Sequence, residues 1–184
     1  MGRINQIRIC GFGGQGIVLA GTILGHAAIK EGKWVAGSSS YGAQARGGSA
    51  VADLVIADER IIYPHVIEPD ILITLSQTAY KTYIKDLAEG GLVLFDEQLV
   101  NPEEVGEMRR IGVPATDAAL RELGGKQAAN IVILGASSAI TGMASHEALV
   151  SSIQENVAER FRELNLTALD LGYRLAGEIK KEAG

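Results

Sequence analysis

Apolar residues in this chain follow two rhythms that trade places along its length. In the earlier part, short bounded apolar runs predict strands over 6–10, 33–37, 50–57, 71–75, 92–95 (ending at Asp96) and 109–115. Between the first two, Ile17, Leu19, Ala20, Ile23, Leu24, Ala27 and Ala28 recur at helical spacing and predict a helix over 14–31. Further helices are predicted over 78–89, closed by Gly90 and Gly91 at its C-terminus, and over 116–123. The turn at Asp58 and Glu59 leads into a short apolar stretch, 60–63, which reads as the second arm of a hairpin. Beyond Gly125 the pattern is helical throughout. Residues 128–140 are apolar almost all round and predict a buried helix. Ser145 reads as the N-cap of a helix over 148–161, and Asn165 as the N-cap of a last helix to about Lys181.

Strands alternating with helices, followed by helices to the end, predict an α/β fold. Its expected form is a mostly parallel, Rossmann-like sheet with helices on both faces and a C-terminal helical segment. With 184 residues and no linker, repeat or low-complexity tract, the chain reads as one domain over 1–184. Hydrophobic residues at 47% and charged residues at 21% suit a packed core. A net charge of −5 argues against nucleic acid as a partner. No apolar run reaches membrane-spanning length and the start lacks a signal peptide's apolar core, so the expectation is a cytoplasmic protein without membrane contact.

One cysteine, Cys10, cannot form an internal disulfide or hold an iron–sulfur cluster. The three histidines, His26, His65 and His146, are scattered, so no metal is expected in this chain. Cys10 reads as a small hydrophobe ending a buried strand, Asn130 as a packed polar residue or interface contact, Trp34 and Tyr63 as core or interface aromatics, and His146 as a first-turn helix residue.

The chemistry concentrates in two stretches. In CGFGGQGIVLAG, Gly11, Gly13, Gly14 and Gly16 separate a strand from a helix. Such a turn lets backbone N–H groups approach a phosphate or carboxylate at a helix N-terminus; the plainer reading is that the glycines only pack strand against helix. A dinucleotide site also needs an acid about 20 residues on, where this chain has VAGSSSYG, and no GK[ST] follows for a Walker loop. The second stretch, SSSYGAQARGGS, is expected to be a ligand-binding loop after the second strand. There Arg46 could fork onto an anion and Ser38, Ser39 and Ser40 offer hydroxyls, or Arg46 is solvated or bound to a partner subunit.

These stretches, with EPDILITLSQ, GGLVLFD, AANIVILGASSAITGMASHEAL and ELNLTALDLGYRLA, resemble in order the gamma subunit of the 2-oxoacid:ferredoxin oxidoreductases. Within the family the likeness is closest to the gamma subunits that serve 2-oxoglutarate; the fold it implies is that of domain III of pyruvate:ferredoxin oxidoreductase. The SYGPEMRGG of many relatives stands here as SYGAQARGG, with Ala43 and Gln44 in place of Pro and Glu. The resemblance implies conversion of a 2-oxoacid, coenzyme A and oxidised ferredoxin to acyl-CoA, carbon dioxide and reduced ferredoxin. It implies alpha, beta and in some members delta (ferredoxin-like) partner subunits, which would carry the thiamine diphosphate, Mg2+ and iron–sulfur clusters. This chain has neither a GDG motif nor cluster cysteines. It would not be active alone and would hold no catalytic residue. The expectation for its own residues is that Gly11, Gly13, Gly14, Gln15 and Gly16, with Ser40, Tyr41, Arg46 and Gly47, face coenzyme A. A homodimer of the isolated chain would be a substitute contact. The rival readings are a purely structural assembly module and an independent nucleotide-binding protein.

Overall fold

The computed structural model describes residues 4–41, 48–103 and 108–182. Among these, six strands form one sheet: β1 (Ile4–Phe12), β2 (Trp34–Tyr41), β3 (Ser49–Ala57), β4 (Ile71–Thr74), β5 (Leu92–Asp96) and β6 (Arg109–Val113). The helices are α1 (Ile17–Lys30), α2 (Gln77–Tyr83), α3 (Ala115–Glu122), α4 (Ala129–Thr141), α5 (His146–Asn156) and α6 (Glu159–Glu182). The strand order is β2-β3-β1-β4-β5-β6. Strands β1, β4, β5 and β6 run parallel, while β3 lies antiparallel to both β1 and β2. The sheet is therefore mostly parallel, as expected, with one reversed strand.

Alternation along β1 assigns the two faces. Ile7 and Ile9 enter the large core with residues of α1, α4, α5 and α6. Cys10 points to the opposite face, into a smaller cluster with Leu72, Ala79, Tyr80, Val93 and Val100. Helices cover both faces, but unequally. Arg8 shares the thin side and is buried. Its Nε and Nη2 donate to the Asp53 oxygens at 2.8 and 2.9 Å, and Nη1 reaches Asp86 at 3.3 Å. The Asp53 hydrogen bond holds its pKa above the ordinary value, so the buried charge is kept and paired.

Several expectations need correction. The serines of 38–40 are not loop: Ser38, Ser39 and Ser40 continue β2, opposite Asp53, Ala52 and Val51. Pairing with the apolar β3 overrides the weak strand preference of Ser and Gly. The hairpin is accordingly β2–β3, not 50–63. Among residues 58–70 there is no strand, and Ile62 is 96% exposed, with no sheet face to pack on. The helix predicted to 89 ends at Tyr83, followed by a single 3₁₀ turn, Ile84–Asp86. The chain then leaves the helical path with Leu87 extended, and Ala88 N–H donates to Pro69 O at 3.0 Å.

The helix predicted over 148–161 splits instead. Ser145 does cap α5, accepting from Ala148 N–H, but the helix stops at Asn156. Asn165 is not a cap; it lies inside α6 and donates to Phe161 O at 2.8 Å. Trp34 and Tyr63, at 53% and 58% exposure, are not core residues.

Candidate functional site

Strand β1 delivers the chain to the carboxyl edge of the sheet, where residues 13–16 turn it into α1. Gly14 (φ 94°) and Gly16 (φ 71°) take the left-handed conformation that favours glycine. Three ties fix the turn. Gly13 N–H donates to Gly48 O at 2.9 Å. The Gln15 amide bridges two strands, its Oε1 accepting from Phe12 N–H at 2.6 Å and its Nε2 donating to Leu75 O at 2.9 Å. From α4, Asn130 Nδ2 donates to Gly16 O at 3.0 Å. Gly11 serves packing: a Cβ there would lie 2.8 Å from Ile17 Cδ1.

The location follows from topology. The connection after β1 enters α1 on the thick face, whereas β4 leads into α2 on the thin face. Neighbouring strands whose connections diverge to opposite faces open a crevice at their carboxyl ends, the usual binding place in such sheets. Gln15 spans that crevice. The N-cap of α1, Gly16, makes no side-chain cap. Uncapped first turns favour an anion.

Between the glycine turn and the α3–α4 connection lies a cavity of about 610 Å³, lined by Gly14, Gln15, Leu75, Thr116, Lys126 and Asn130 among others. Lys126 is exposed at its rim. Asn130 is buried, and its Oδ1 has no hydrogen-bond partner among the described residues. Asp96, at the end of β5, accepts from Thr116 N–H at 2.9 Å, Thr116 Oγ1 at 2.6 Å and Gln98 N–H at 3.0 Å, which locks α3 against the sheet. Burial raises its pKa above the carboxylate norm. Cys10 is buried in β1, two residues before the strand ends, and burial pushes its thiol up to about 12. A neutral, enclosed thiol is a packing group, not a nucleophile.

Of the residues singled out by sequence, the fold gathers Gly13, Gly14, Gln15 and Gly16 at one edge. Because β2 runs in the same direction as β1, its last residues Ser40 and Tyr41 reach that same edge; both are exposed, Tyr41 at 67%. Gly48 ties the turn to the end of the second stretch. Arg46 and Gly47 lie outside the described residues. Lys126 and Thr116 were missed: a lysine after two glycines and a threonine opening a helix carry no distinguishing local pattern. The arrangement offers backbone N–H groups, amides and an ammonium around an open cavity, which suits binding.

The model of the pyruvate ferredoxin/flavodoxin oxidoreductase family matches residues 6–175. The 2-oxoglutarate synthase subunit KorC of Methanocaldococcus jannaschii is 44% identical over 177 residues, 95% of each chain. The solved gamma subunit of a keto/oxoacid ferredoxin oxidoreductase from Geobacter sulfurreducens is 38% identical, with TM-score 0.83 over 95% of this chain and 99% of that one. The fold also recurs, with TM-score 0.86 and 24% identity, in the 2-oxoglutarate:ferredoxin oxidoreductase of Magnetococcus marinus, solved with 2-oxoglutarate, coenzyme A and succinyl-CoA bound; it covers 96% of this chain but 31% of that one. The chain belongs to the pyruvate ferredoxin/flavodoxin oxidoreductase family.

Proposed function

We propose that this chain is the gamma subunit of a multi-subunit 2-oxoacid:ferredoxin oxidoreductase that acts on 2-oxoglutarate. The complex converts the oxoacid, coenzyme A and oxidised ferredoxin to acyl-CoA, carbon dioxide and reduced ferredoxin. The observation that carries the reading is 44% identity with KorC over 95% of both chains. Thiamine diphosphate, Mg2+ and iron–sulfur clusters belong to the partner subunits in this reading, and they supply the decarboxylation and electron chemistry. A single cysteine, held neutral in the sheet, supports that division.

This chain's part is to bind and orient. The glycine turn, Gln15, Ser40 and Tyr41, with Arg46 and Gly47 from the following stretch, close the side of the active site that faces coenzyme A. Support comes from the uncapped start of α1 at an open carboxyl edge, where an anionic carrier is favoured and a bulky side chain would obstruct. The Magnetococcus enzyme in which this fold recurs was solved with coenzyme A bound, which is consistent with that assignment.

The test is kinetic, in the assembled enzyme. Arg46→Ala is expected to raise the KM for coenzyme A roughly tenfold, the loss of one charge-assisted hydrogen bond, with little change in the KM for the oxoacid. An intact complex with unchanged coenzyme A dependence would remove Arg46 and its neighbours from the site. Failure of the chain to assemble with thiamine- and cluster-bearing subunits would remove the function itself.

A further inference from the structure

The cavity beside the glycine turn has a mouth and a floor of different chemistry. Gly14, Gln98, Lys126 and Gln127 are exposed and ring its mouth, whereas Leu75, Thr116, Ala129 and Asn130 are buried and form its floor. Both polar side chains of that floor are left as acceptors. Asn130 donates its Nδ2 to the Gly16 carbonyl at 3.0 Å, which fixes the orientation of the amide and leaves Oδ1 without a partner among the described residues. Thr116 donates its hydroxyl proton to Asp96 Oδ2 at 2.6 Å, so its own oxygen has only lone pairs left. A buried acceptor that meets no donor carries the full loss of its hydration. At the mouth, Lys126 opens a single 3₁₀ turn, Lys126–Ala128, that runs straight into α4, so the ammonium stands about one turn before Asn130. Leu99 and Leu120 add apolar wall, and the volume of about 610 Å³ is that of a small-molecule site.

We propose that this cavity holds the adenine nucleotide end of coenzyme A, with the exocyclic amine of the base on the floor against Asn130 Oδ1 and the phosphates at the mouth beside Lys126. The inference rests on the coenzyme A reading above and deepens it, naming which end of the carrier this chain takes and which residues take it. Donor complementarity selects that end. An ionised phosphate or 2-oxoacid brings only acceptors and cannot satisfy the floor, whereas an amine brings two N–H hydrogens. The pantetheine arm has amide N–H groups but no charge to meet Lys126. A flat base suits the leucine walls, and phosphates at the mouth meet both the ammonium and exposed Gly14 of the turn that opens α1.

Equilibrium dialysis on the assembled enzyme tests the proposal, with adenosine, adenosine monophosphate, inosine monophosphate and coenzyme A as probes. Adenosine monophosphate is expected to bind and to be displaced by coenzyme A. Inosine monophosphate puts a carbonyl oxygen where the amine stood and is expected to bind at least roughly tenfold more weakly. Lys126→Gln, an exposed change, is expected to weaken adenosine monophosphate and coenzyme A about tenfold each, to leave adenosine unaffected and to keep the melting temperature. Equal binding of the two monophosphates, or nucleotide affinity indifferent to Lys126→Gln, overturns the proposal. Adenosine monophosphate that stays bound under saturating coenzyme A marks a site for a free nucleotide and overturns it equally. In each of those cases coenzyme A still binds and the functional reading stands. An assembled enzyme that takes up no coenzyme A removes that reading first.

Discussion

A methyl group at Gly14 and one at Gly16 would meet different surroundings, although both residues sit at positive φ in the same turn. Among the described residues nothing lies within 4 Å of a Cβ at Gly14, so alanine there carries backbone strain alone, about 1–2 kcal/mol. At Gly16 the added carbon would lie 2.9 Å from Asn130 Cγ, forcing that side chain off the Gly16 carbonyl. Losing that bond adds about 1–3 kcal/mol. In urea denaturation Gly16→Ala is expected to lose clearly more stability than Gly14→Ala; equal losses would show that Asn130 does not hold the turn. The glycine spacing was legible in the sequence because a strand–turn–helix signal is local. Its anchor was not, since Asn130 stands 114 positions away and nothing in its neighbourhood marks it as a turn-binding residue. Cys10 makes a pH prediction. Burial raises its thiol from 9.0 to about 12, so the folded state keeps the proton that the unfolded state releases. Its contribution to stability is complete below pH 9.0 and is lost as pH rises through about 12. At pH 8 a chromogenic disulfide reagent is therefore expected to leave the folded chain unmodified and to react fully in denaturant. Rapid reaction of the folded chain would contradict the enclosure.

Among the elements, caps and pairings separate what could be read locally from what could not. Ser145 was legible as a cap because the rule concerns only its own next three residues, and its hydroxyl does accept from Ala148 N–H. Ser76 caps α2 in the same way, accepting from Ala79 N–H at 3.1 Å. Each serine-to-alanine change is expected to cost about 1 kcal/mol, read as a lowered melting temperature. An unchanged melting temperature would mean that solvent already satisfies those N–H groups. Asn165 met the same cap rule and failed it, because α6 had begun a turn and a half earlier and its side chain bonds back to Phe161 O instead. The β2–β3 hairpin was missed for a related reason. Ser38, Ser39 and Ser40 are poor strand formers alone, and only the apolar register of β3 recruits them. Residues 60–63 carried the better local pattern but found no partner strand. The parallel strands were legible because both of their faces are buried and their apolar runs are unbroken, as in Leu92, Val93 and Leu94.

At the scale of the molecule, the site depends on a helix–helix contact outside it. Helix α6 lies against α4 where glycines replace side chains: a Cβ on Gly172 would sit 2.8 Å from Ala136 N, and one on Gly135 would sit 2.7 Å from Leu169 O. Backbone meets backbone there, so an added methyl cannot be absorbed by a rotamer change and must push the two helices apart. The first turn of α4 carries Asn130, which holds Gly16 and hence the glycine turn, within two turns of the residues that Gly172 approaches. A displacement at Gly172 is thereby passed along a rigid element to the edge proposed to face coenzyme A. Gly172→Ala is expected to lower stability by about 1–3 kcal/mol and to speed hydrogen exchange over residues 12–17. Gly177 supplies the control on the same helix, for among the described residues nothing lies within 4 Å of a Cβ there, and alanine should stabilise by about 0.5–1 kcal/mol through helix propensity. If Gly172→Ala destabilises the chain yet leaves exchange in the turn unchanged, α4 flexes between the two points and the turn is held by Gln15 and Gly48 alone. If both rise together while Gly177→Ala slows exchange, the packing of α4 on α6 sets the geometry of the binding edge.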